Sequence, residues 1–302
     1  MQKEGFKSGF ATLVGRPNAG KSTLLNAIMG KKIAITSSTA QTTRHRFRAV
    51  LTRDDFQLIL VDTPGIHKPH DALGEELNES ALKGLQDIDV VAMVIDASQP
   101  IGRGDEWVAK QVAACKARRI CVLSKTDIAT PEQIAAQREA AEALMTWDAM
   151  VALSARSGAN VVDAFVEEAV FFLPEGPAWF PPDMQTDQPM EVVIAEFIRE
   201  KILRSFHDEV PHSIGVAVDN MQYEKKKDLQ RIFATIYVER DSQKGMIIGK
   251  KGAAIKRIGS EARADLEQLL GCRVFLDLNV KVKKNWRRDA TQIRRFGYGE
   301  GA

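Results

Sequence analysis

Cysteine is scarce in this chain. Cys115, Cys121 and Cys272 are the only three in 302 residues, and no two form a CxxC pair. That count excludes a disulfide framework and gives no spacing for a zinc site, so a reducing cytoplasm is the expected home. Long apolar runs are missing too. Stretches such as Val90–Ile95 fall far short of the ~20 residues that span a bilayer, which confines any membrane contact to the surface. The opening MQKEGFKSGF carries no apolar signal core. Repeats of roughly 20 to 50 residues and low-complexity tracts are also absent. What remains is 44% apolar and 27% charged, the profile of an ordinary globular protein long enough for two domains.

The net charge of +2 conceals an asymmetry. Residues 1–180 hold 20 basic and 22 acidic side chains, whereas residues 181–302 hold 22 and 18. Between Lys244 and Arg295 there are 14 Lys or Arg against five Asp or Glu, a local excess of +9 that can attract a polyanion. A solvated charged face is the plainer alternative. Five of the eleven prolines fall between Pro174 and Pro189, where each ring fixes φ and removes a backbone donor. The expected organisation is therefore a first domain over 1–173, a Pro-rich linker over 174–190, and a second domain over 191–302.

Ahead of those prolines, short apolar runs alternate with helical patterns: FATLVG, QLILVDT, VVAMVID, RRICVLS and AMVALS, with KSTLLNAIMG among them. Near-continuous apolar strands suit a mostly parallel sheet with helices on both faces, an α/β fold. Ligands on such sheets sit at the carboxyl ends of the strands, so chemistry is expected after Val14, Val61, Leu123 and Leu153. Beyond the prolines the order becomes helix (192–206), two strands (213–221 and 229–238), a helical pair (249–270) and a strand (273–282). That is a smaller α+β domain.

GRPNAGKS, Gly15 to Ser22, matches G-x-x-x-x-G-K-[ST] directly after a strand and before a helix. Inward-pointing amides of Gly15, Arg16, Pro17 (which contributes only its fixed φ), Asn18, Ala19 and Gly20 frame a phosphate cradle that continues into Thr23. Lys21 reaches β- and γ-phosphates, and Ser22 can ligate Mg²⁺. Asp62, Thr63, Pro64 and Gly65 end the run LILVDTPG, so a carboxylate for the metal and an amide for the γ-phosphate emerge at a buried strand tip. The hydroxyl-rich segment Thr36–Arg48 suits a loop ordered by γ-phosphate and metal, with Thr43 the preferred second hydroxyl ligand and Thr42 its rival.

Base identity rests on the next strand ends. In Ser124-Lys125-Thr126-Asp127 the Asp can accept from the guanine ring NH and amine while the Lys stem covers the base. Ser154, Ala155 and Arg156 offer amides to the guanine carbonyl. These motifs resemble those of translation-factor-related GTPases, GxxxxGK[ST], Thr, DxxG, [NT]KxD and SA[KLE]. Ser124 and Arg156 depart from that pattern, and the loss of one amide hydrogen bond weakens base fixation by ~1 kcal/mol without abolishing it.

Ile66 stands where many relatives orient water with Gln. The resemblance to GRPN-type potassium-dependent GTPases implies that Asn18 helps hold K⁺ near the phosphates. The catalytic set expected is therefore Lys21, Thr43, Gly65 and Asn18. His67 is read as a solvated loop histidine rather than a base.

In the second domain, GMIIGKKGAAIKRIG places Ile248, Gly249, Lys250, Lys251 and Gly252 between helices, with Ala253, Ile255 and Ile258 expected on the buried face of the next one. Two glycines flanking two lysines can press backbone onto a sugar-phosphate chain, and Lys256 and Lys283 add charge. GxxG alone is equally a helix C-cap. With the α-β-β-α-α-β order and the basic excess, it resembles a type II KH domain. Trp286, followed by Arg287 and Arg288, is either a base-stacking ring or a core anchor.

One P-loop GTPase joined to one KH domain resembles the Era family of bacterial ribosome-assembly GTPases over nearly the whole chain, including QTTRHR, DTPGIH and VKVKKNW. That resemblance implies GTP/GDP and Mg²⁺ binding, recognition of the 3′ end of small-subunit (16S) ribosomal RNA, a role in 30S maturation, and peripheral contact with the inner membrane. DNA is not an expected partner. The competing classes are a non-hydrolysing RNA-binding module with a structural nucleotide site, a tRNA-modifying GTPase, and a GTPase with two nucleotide domains. A single GKS counts against the last.

Overall fold

A computed structural model describes residues 4–37, 44, 47–64, 72–83, 85, 87–157, 159–206, 210–296 and 298. The chain divides into two compact units. The first comprises Met1–Ala34, Thr43–Lys68 and Leu77–Asp187, and the second comprises Ile35–Thr42, Pro69–Glu76 and Gln188–Ala302. Among the described residues no helix is long and apolar enough to cross a membrane.

In the first unit the elements run β1 (Lys7–Val14), α1 (Lys21–Met29), β2 (Phe47–Thr52), β3 (Phe56–Asp62), α2 (Ala72–Lys83, shared with the second unit), β4 (Val90–Asp96), α3 (Arg103–Ala113), β5 (Arg118–Ser124), α4 (Pro131–Glu142), β6 (Ala149–Ala152) and α5 (Ala159–Phe171). The six-stranded sheet is ordered β2-β3-β1-β4-β5-β6. Only β2 runs antiparallel to its neighbour. Every residue of β3 and β4 is buried, which explains their apolar runs Leu58–Val61 and Val90–Ile95. On one side Val91, Met93 and Ile95 pack with Val108 and Val112 of α3 and with Cys121 and Leu123 of β5. The chain leaves β1 toward β3 and later returns to its other side as β4, so the carboxyl end of β1 is the point where strand order reverses. A ligand crevice belongs there.

Two features of the first unit differ from the sequence reading. β2 lies within and beyond the segment read as a polar loop, because a short Arg53-Asp54-Asp55 connection lets it pair with β3 along the sheet edge. The Pro-rich stretch is not a free linker through residue 187. Pro174 and Phe6 carbonyls accept from Ser8 and Gly176 amides, the Val50 amide donates to Gln185, and the buried Gln57 side chain accepts from Trp179 and Phe180 amides. Prolines lack donors but keep their carbonyls, and the residues between them supply the N–H groups that fasten this segment to the sheet.

The second unit contains α6 (Met190–Ser205), α7 (Val210–Ser213), β7 (Gly215–Glu224), β8 (Leu229–Val238), α8 (Asp241–Ile248), α9 (Ala253–Leu270), β9 (Arg273–Val282) and α10 (Ala290–Arg295). Its sheet is ordered β7-β8-β9, with β7 antiparallel and β9 parallel to β8. Ile198 and Ile202 of α6, Ile258, Ala262 and Leu266 of α9, and Ile232, Ala234 and Ile236 of β8 form the buried interior. The helical face begins at Ile258 rather than Ala253, which is exposed in the first turn where the helix has yet to meet the sheet.

Charges are buried in this unit as well. Arg199 pairs with Glu196 at 2.6 Å and Lys201 with Asp265 at 2.5 Å. Buried Glu200 accepts from the Thr36 amide at 3.0 Å and pairs with Arg204 at 3.0 Å. The second unit thus holds the start of the segment that leaves α1.

Candidate functional site

The loop between β1 and α1 is built by close backbone approach. A Cβ on Gly15 would lie 2.4 Å from the Val94 carbonyl oxygen, so only glycine lets β1 turn beside β4. Asn18 and Gly20 take left-handed φ values of 65° and 106°, and Gly20 caps the helix without using a side chain. The helix N-terminus is thereby left open to an anion. Lys21 is buried and its Nζ donates to the carbonyls of Gly15 and Arg16, each at 3.0 Å. Burial pulls its pKa down to about 8, against the opposing influence of the Asp62 carboxylate.

Ser22 Oγ donates to Asp62 Oδ2 at 2.7 Å. Asp62 is fully buried at the tip of β3. A hydroxyl and a carboxylate this close supply the hard oxygen donors that Mg²⁺ prefers, and the residues present fit that ion. Among the described residues, no group of three or more His, Cys, Asp or Glu forms a metal centre. Thr63 turns away from the crevice, its hydroxyl donating to the Leu13 carbonyl at 2.9 Å, and Pro64 is buried beside it. Thr43, Gly65, Ile66 and His67 lie outside the described residues.

The base-reading motifs converge on the same end of the sheet. Ser124 Oγ lies 2.6 Å from the Ala19 carbonyl and 3.0 Å from that of Ile95, so its single proton bonds β5 to the phosphate loop. Lys125 has φ 59° and sends Nζ to Asp96 Oδ2 at 2.6 Å. Burial works against ionised Asp96, but the Lys125 ammonium and the Ser98 hydroxyl and amide together hold its carboxyl below the usual range. The Thr126 amide donates to Leu153, and Asp127 is exposed, facing solvent rather than the core. Buried Ser154 accepts from the Arg156 amide at 3.2 Å, and its carbonyl accepts from Ser157, which curls the chain around Ala155.

Sequence reasoning passed over two supporting carboxylates. Asp96 ends VVAMVID as Asp62 ends LILVD, so the signal was there in the repeated strand-tip Asp. Asp105, buried in the first turn of α3, pairs with Arg16 Nε at 2.9 Å and accepts from the Gly102 amide. A Cβ on Gly104 would come within 2.8 Å of Arg16 Cδ, so that pairing depends on a glycine distant in sequence and carries no local signature.

In the second unit, Gly249 and Gly252 adopt φ of 73° and 79°, and Lys251 between them is also left-handed at 52°. A Cβ on Gly249 would lie 2.7 Å from Ala254 Cβ. Lys250 and Lys251 are exposed, as is Lys256, while Ile248 is half-buried. A groove of about 340 Å³ runs between α9 and β9, lined by Ile255, Lys256, Gly259 and Arg263 on one side and by Val274, Leu276 and Leu278 on the other. Lys283 is exposed beyond β9.

Trp286 corrects the stacking expectation. It is fully buried, its Nε1 donates to the Ser213 carbonyl at 2.9 Å, and its ring packs edge-on against Phe296 at 5.0 Å. A ring with no exposed face cannot stack on a base, so the core-anchor alternative holds.

Comparison with known proteins agrees with this geometry. The model of the 50S ribosome-binding GTPases matches residues 10–125, and that of the KH domain matches residues 209–287. GTPase Era of Mycolicibacterium smegmatis is 47% identical over 297 residues, covering 97% of this chain and 99% of its own. The crystal structure of a point variant of Aquifex aeolicus Era bound to GDP·AlF₄⁻ superimposes with a TM-score of 0.93 at 37% identity, covering 97% of this chain and 100% of that one. Era in complex with MgGDPNP and nucleotides 1506–1542 of 16S ribosomal RNA gives 0.91 at 37% identity, with 97% and 99% coverage. With its phosphate loop, Mg²⁺-type oxygen pair and KH fold all in place over nearly full length, the chain belongs to the Era family of GTPases.

Proposed function

We propose that the chain is a GTP-hydrolysing switch that grips the 3′ end of 16S ribosomal RNA and assists maturation of the 30S subunit. The observation that carries this reading is that one chain holds two glycine-shaped turns of different kinds, each suited to phosphate: a largely enclosed one at Gly15–Thr23 and an exposed one at Gly249–Gly252. A relative 37% identical over 97% of this chain was solved with MgGDPNP and 16S RNA together, which supports assigning nucleotide to the first site and RNA to the second.

In this reading the amides of Gly15 to Thr23, together with Lys21, hold the phosphates. Ser22 and Asp62 hold Mg²⁺, with Thr43 the further hydroxyl ligand, and the ion offsets phosphate charge. Asp127 accepts from guanine, the stem of Lys125 covers it, and Ser154, Ala155 and Arg156 present amides to its carbonyl. Gly65 senses the γ-phosphate through its amide. Exposed Asn18 supports K⁺ beside the phosphates, and hydrolysis at equal rates in K⁺ and Na⁺ removes that assignment. On the RNA side, Lys250, Lys251, Lys256 and Lys283 contact backbone phosphates, while Ile248 shapes the turn that presents them. The cytoplasm is the compartment this role requires. Peripheral contact with the inner membrane belongs to the same reading and is tested by flotation with anionic vesicles.

A double dissociation tests the whole assignment. Lys21→Ala should abolish GTP hydrolysis and weaken GDP binding by about 100-fold, or 2.7 kcal/mol, while RNA is still bound. Lys250→Asp with Lys251→Asp should abolish RNA binding and leave GDP affinity intact. Unchanged RNA affinity in the second variant refutes the turn, and absence of phosphate release in a single wild-type turnover refutes the enzyme.

A further inference from the structure

Two strand tips in the first unit are joined by a pair of charges at the carboxyl end of the sheet. β4 and β5 run parallel with Asp96 paired to Ser124, and the Ala97 amide donates to the Ser124 carbonyl at 3.0 Å, so the chain leaves both strands at one level. Lys125 turns back toward β4. It takes a φ of 59°, which residues with a Cβ seldom adopt, and its Nζ reaches Asp96 Oδ2 at 2.6 Å. Asp96 Oδ1 accepts from the Ser98 hydroxyl at 2.6 Å and from its amide at 3.0 Å, which fixes the plane of the carboxylate and leaves Oδ2 to the ammonium. The Asp96 side chain is 6% exposed and that of Lys125 is 32% exposed. The ammonium is thus tied to a buried carboxylate while the lysine side chain stays partly open to a ligand.

This tether matters because the residue beside it has no donor to spare. Ser124 Oγ carries one proton and lies between the Ala19 and Ile95 carbonyls, so its hydroxyl is committed to the phosphate loop and the sheet. An Asn at that position would bring two N–H donors, and serine brings one. Fixation of the base from this strand end therefore falls on Lys125 at the ring's face and on Asp127 at its edge. The segment that carries both is held firmly. The Thr126 amide donates to the Leu153 carbonyl at 3.4 Å, and the Ile128 amide closes the turn on the Lys125 carbonyl at 3.1 Å. A lysine stem free to rotate loses conformational freedom when a ring packs on it, whereas one anchored at its far end has lost that freedom beforehand.

We infer that Asp96 is a positioning residue for guanine binding: by holding the Lys125 ammonium at the tip of β4, it presets the lysine stem as the platform on which the base lies. It thereby offsets the side-chain donor that Ser124 does not supply. The inference rests on the guanine-nucleotide reading of the crevice given above. Because the stem meets the face of the ring, Asp96 governs how tightly a purine is held, and the choice among groups on its edge stays with Asp127.

Titration of the full-length protein with a fluorescent GDP analogue, competed with unlabelled GDP and inosine diphosphate, tests the tether. Asp96→Asn keeps an acceptor for Ser98 and removes the charge that faces Lys125. It should weaken GDP about fivefold, the cost of ordering one long side chain on binding, and weaken inosine diphosphate, which lacks the exocyclic amine, by the same factor. Ser98→Ala, which leaves the ion pair in place, should change affinity less than about twofold. Lys125→Met, at a partly exposed position, keeps an apolar stem without the tether and should by itself reproduce the loss. Adding Asp96→Asn to Lys125→Met should then have no further effect, whereas a role in folding alone would give losses that add. Unchanged GDP affinity in Asp96→Asn or in Lys125→Met overturns the proposal, as do additive losses in the double variant. A larger loss for GDP than for inosine diphosphate also overturns it, by placing Asp96 with the edge-reading group. Failure of the wild-type protein to bind GDP would instead remove the guanine reading on which the inference rests.

Discussion

The proposed nucleotide crevice and the proposed RNA face would hold the same chemical group, phosphate, by opposite means. In the crevice the cation is buried: Lys21 sits on two backbone carbonyls, Asp62 is fully enclosed, and the loop is closed by side-chain contacts to other strands and to α3. On the RNA face the cations are exposed, and what is rigid is the backbone beneath them, set by Gly249, Lys251 and Gly252 at positive φ and by buried Trp286. A small ligand that is enclosed can repay the desolvation of a fixed charge. A polymer that must slide on and off is better served by solvated charges on a stiff support. The crevice should therefore respond to single hydrogen bonds and to pH, and the RNA face to packing beneath it and to salt.

The largest expected effect attacks the support. Trp286→Ala should destabilise the second unit by about 3–5 kcal/mol, the cost of emptying a large buried aromatic site, as read by urea unfolding. Trp286→Phe, which keeps the apolar body, should retain RNA affinity within about twofold under conditions where it is folded. A large loss of RNA binding in folded Trp286→Phe would return the ring to a stacking role and erase the contrast drawn above.

A smaller effect is expected at Ser124. Its hydroxyl is the donor linking β5 to the Ala19 carbonyl, and Ser124→Ala leaves that buried oxygen short of a partner at a cost of about 1–2 kcal/mol. Because the bond is to the phosphate loop, GDP affinity should fall about tenfold, and Ser124→Thr, which keeps the hydroxyl, should restore most of it. Unaltered affinity in Ser124→Ala would show that the loop is held by its glycines alone.

How far the sequence discloses this molecule follows from the same contrast. Elements whose signal is local were legible: the strand–GRPNAGKS–helix run, the apolar strands β3 and β4, and the order of the second unit. β8 and β9 match their expected spans, and β7 begins two residues later and extends to Glu224. Features fixed by distant partners were not. β2 is half-buried on an edge and pairs only because β3 follows it, and Arg16 depends on Asp105 and Gly104 far along the chain. Trp286 was ambiguous because composition beside Arg287 and Arg288 cannot distinguish a ring that faces RNA from one that props up the turn. Its burial against Phe296 and its hydrogen bond to Ser213, distant in sequence, resolve it.

The finest test concerns the proton on Lys21. Burial lowers its pKa from 10.5 to about 8 without nucleotide, so the enclosed ammonium costs on the order of 3 kcal/mol of folding stability at neutral pH. Below about pH 8 the group is charged in both folded and unfolded chains and that cost is fully present. Between about 8 and 10.5 the folded protein releases the proton while the unfolded chain keeps it, so stability contributed by this site rises with pH. Phosphates entering the loop favour the charged form and reverse the shift. GDP binding should then take up roughly three-quarters of a proton at about pH 8.5 and roughly a tenth at about pH 7, seen by calorimetry as a heat that depends on buffer ionisation enthalpy. Proton uptake should vanish in Lys21→Met, measured at GDP concentrations raised to offset its weaker binding, and affinity of the native protein for GDP should decline across the same interval. A binding heat independent of buffer at both pH values would mean that Lys21 already carries its full charge in the empty loop. The crevice would then hold its cation no differently from the exposed lysines of the RNA face.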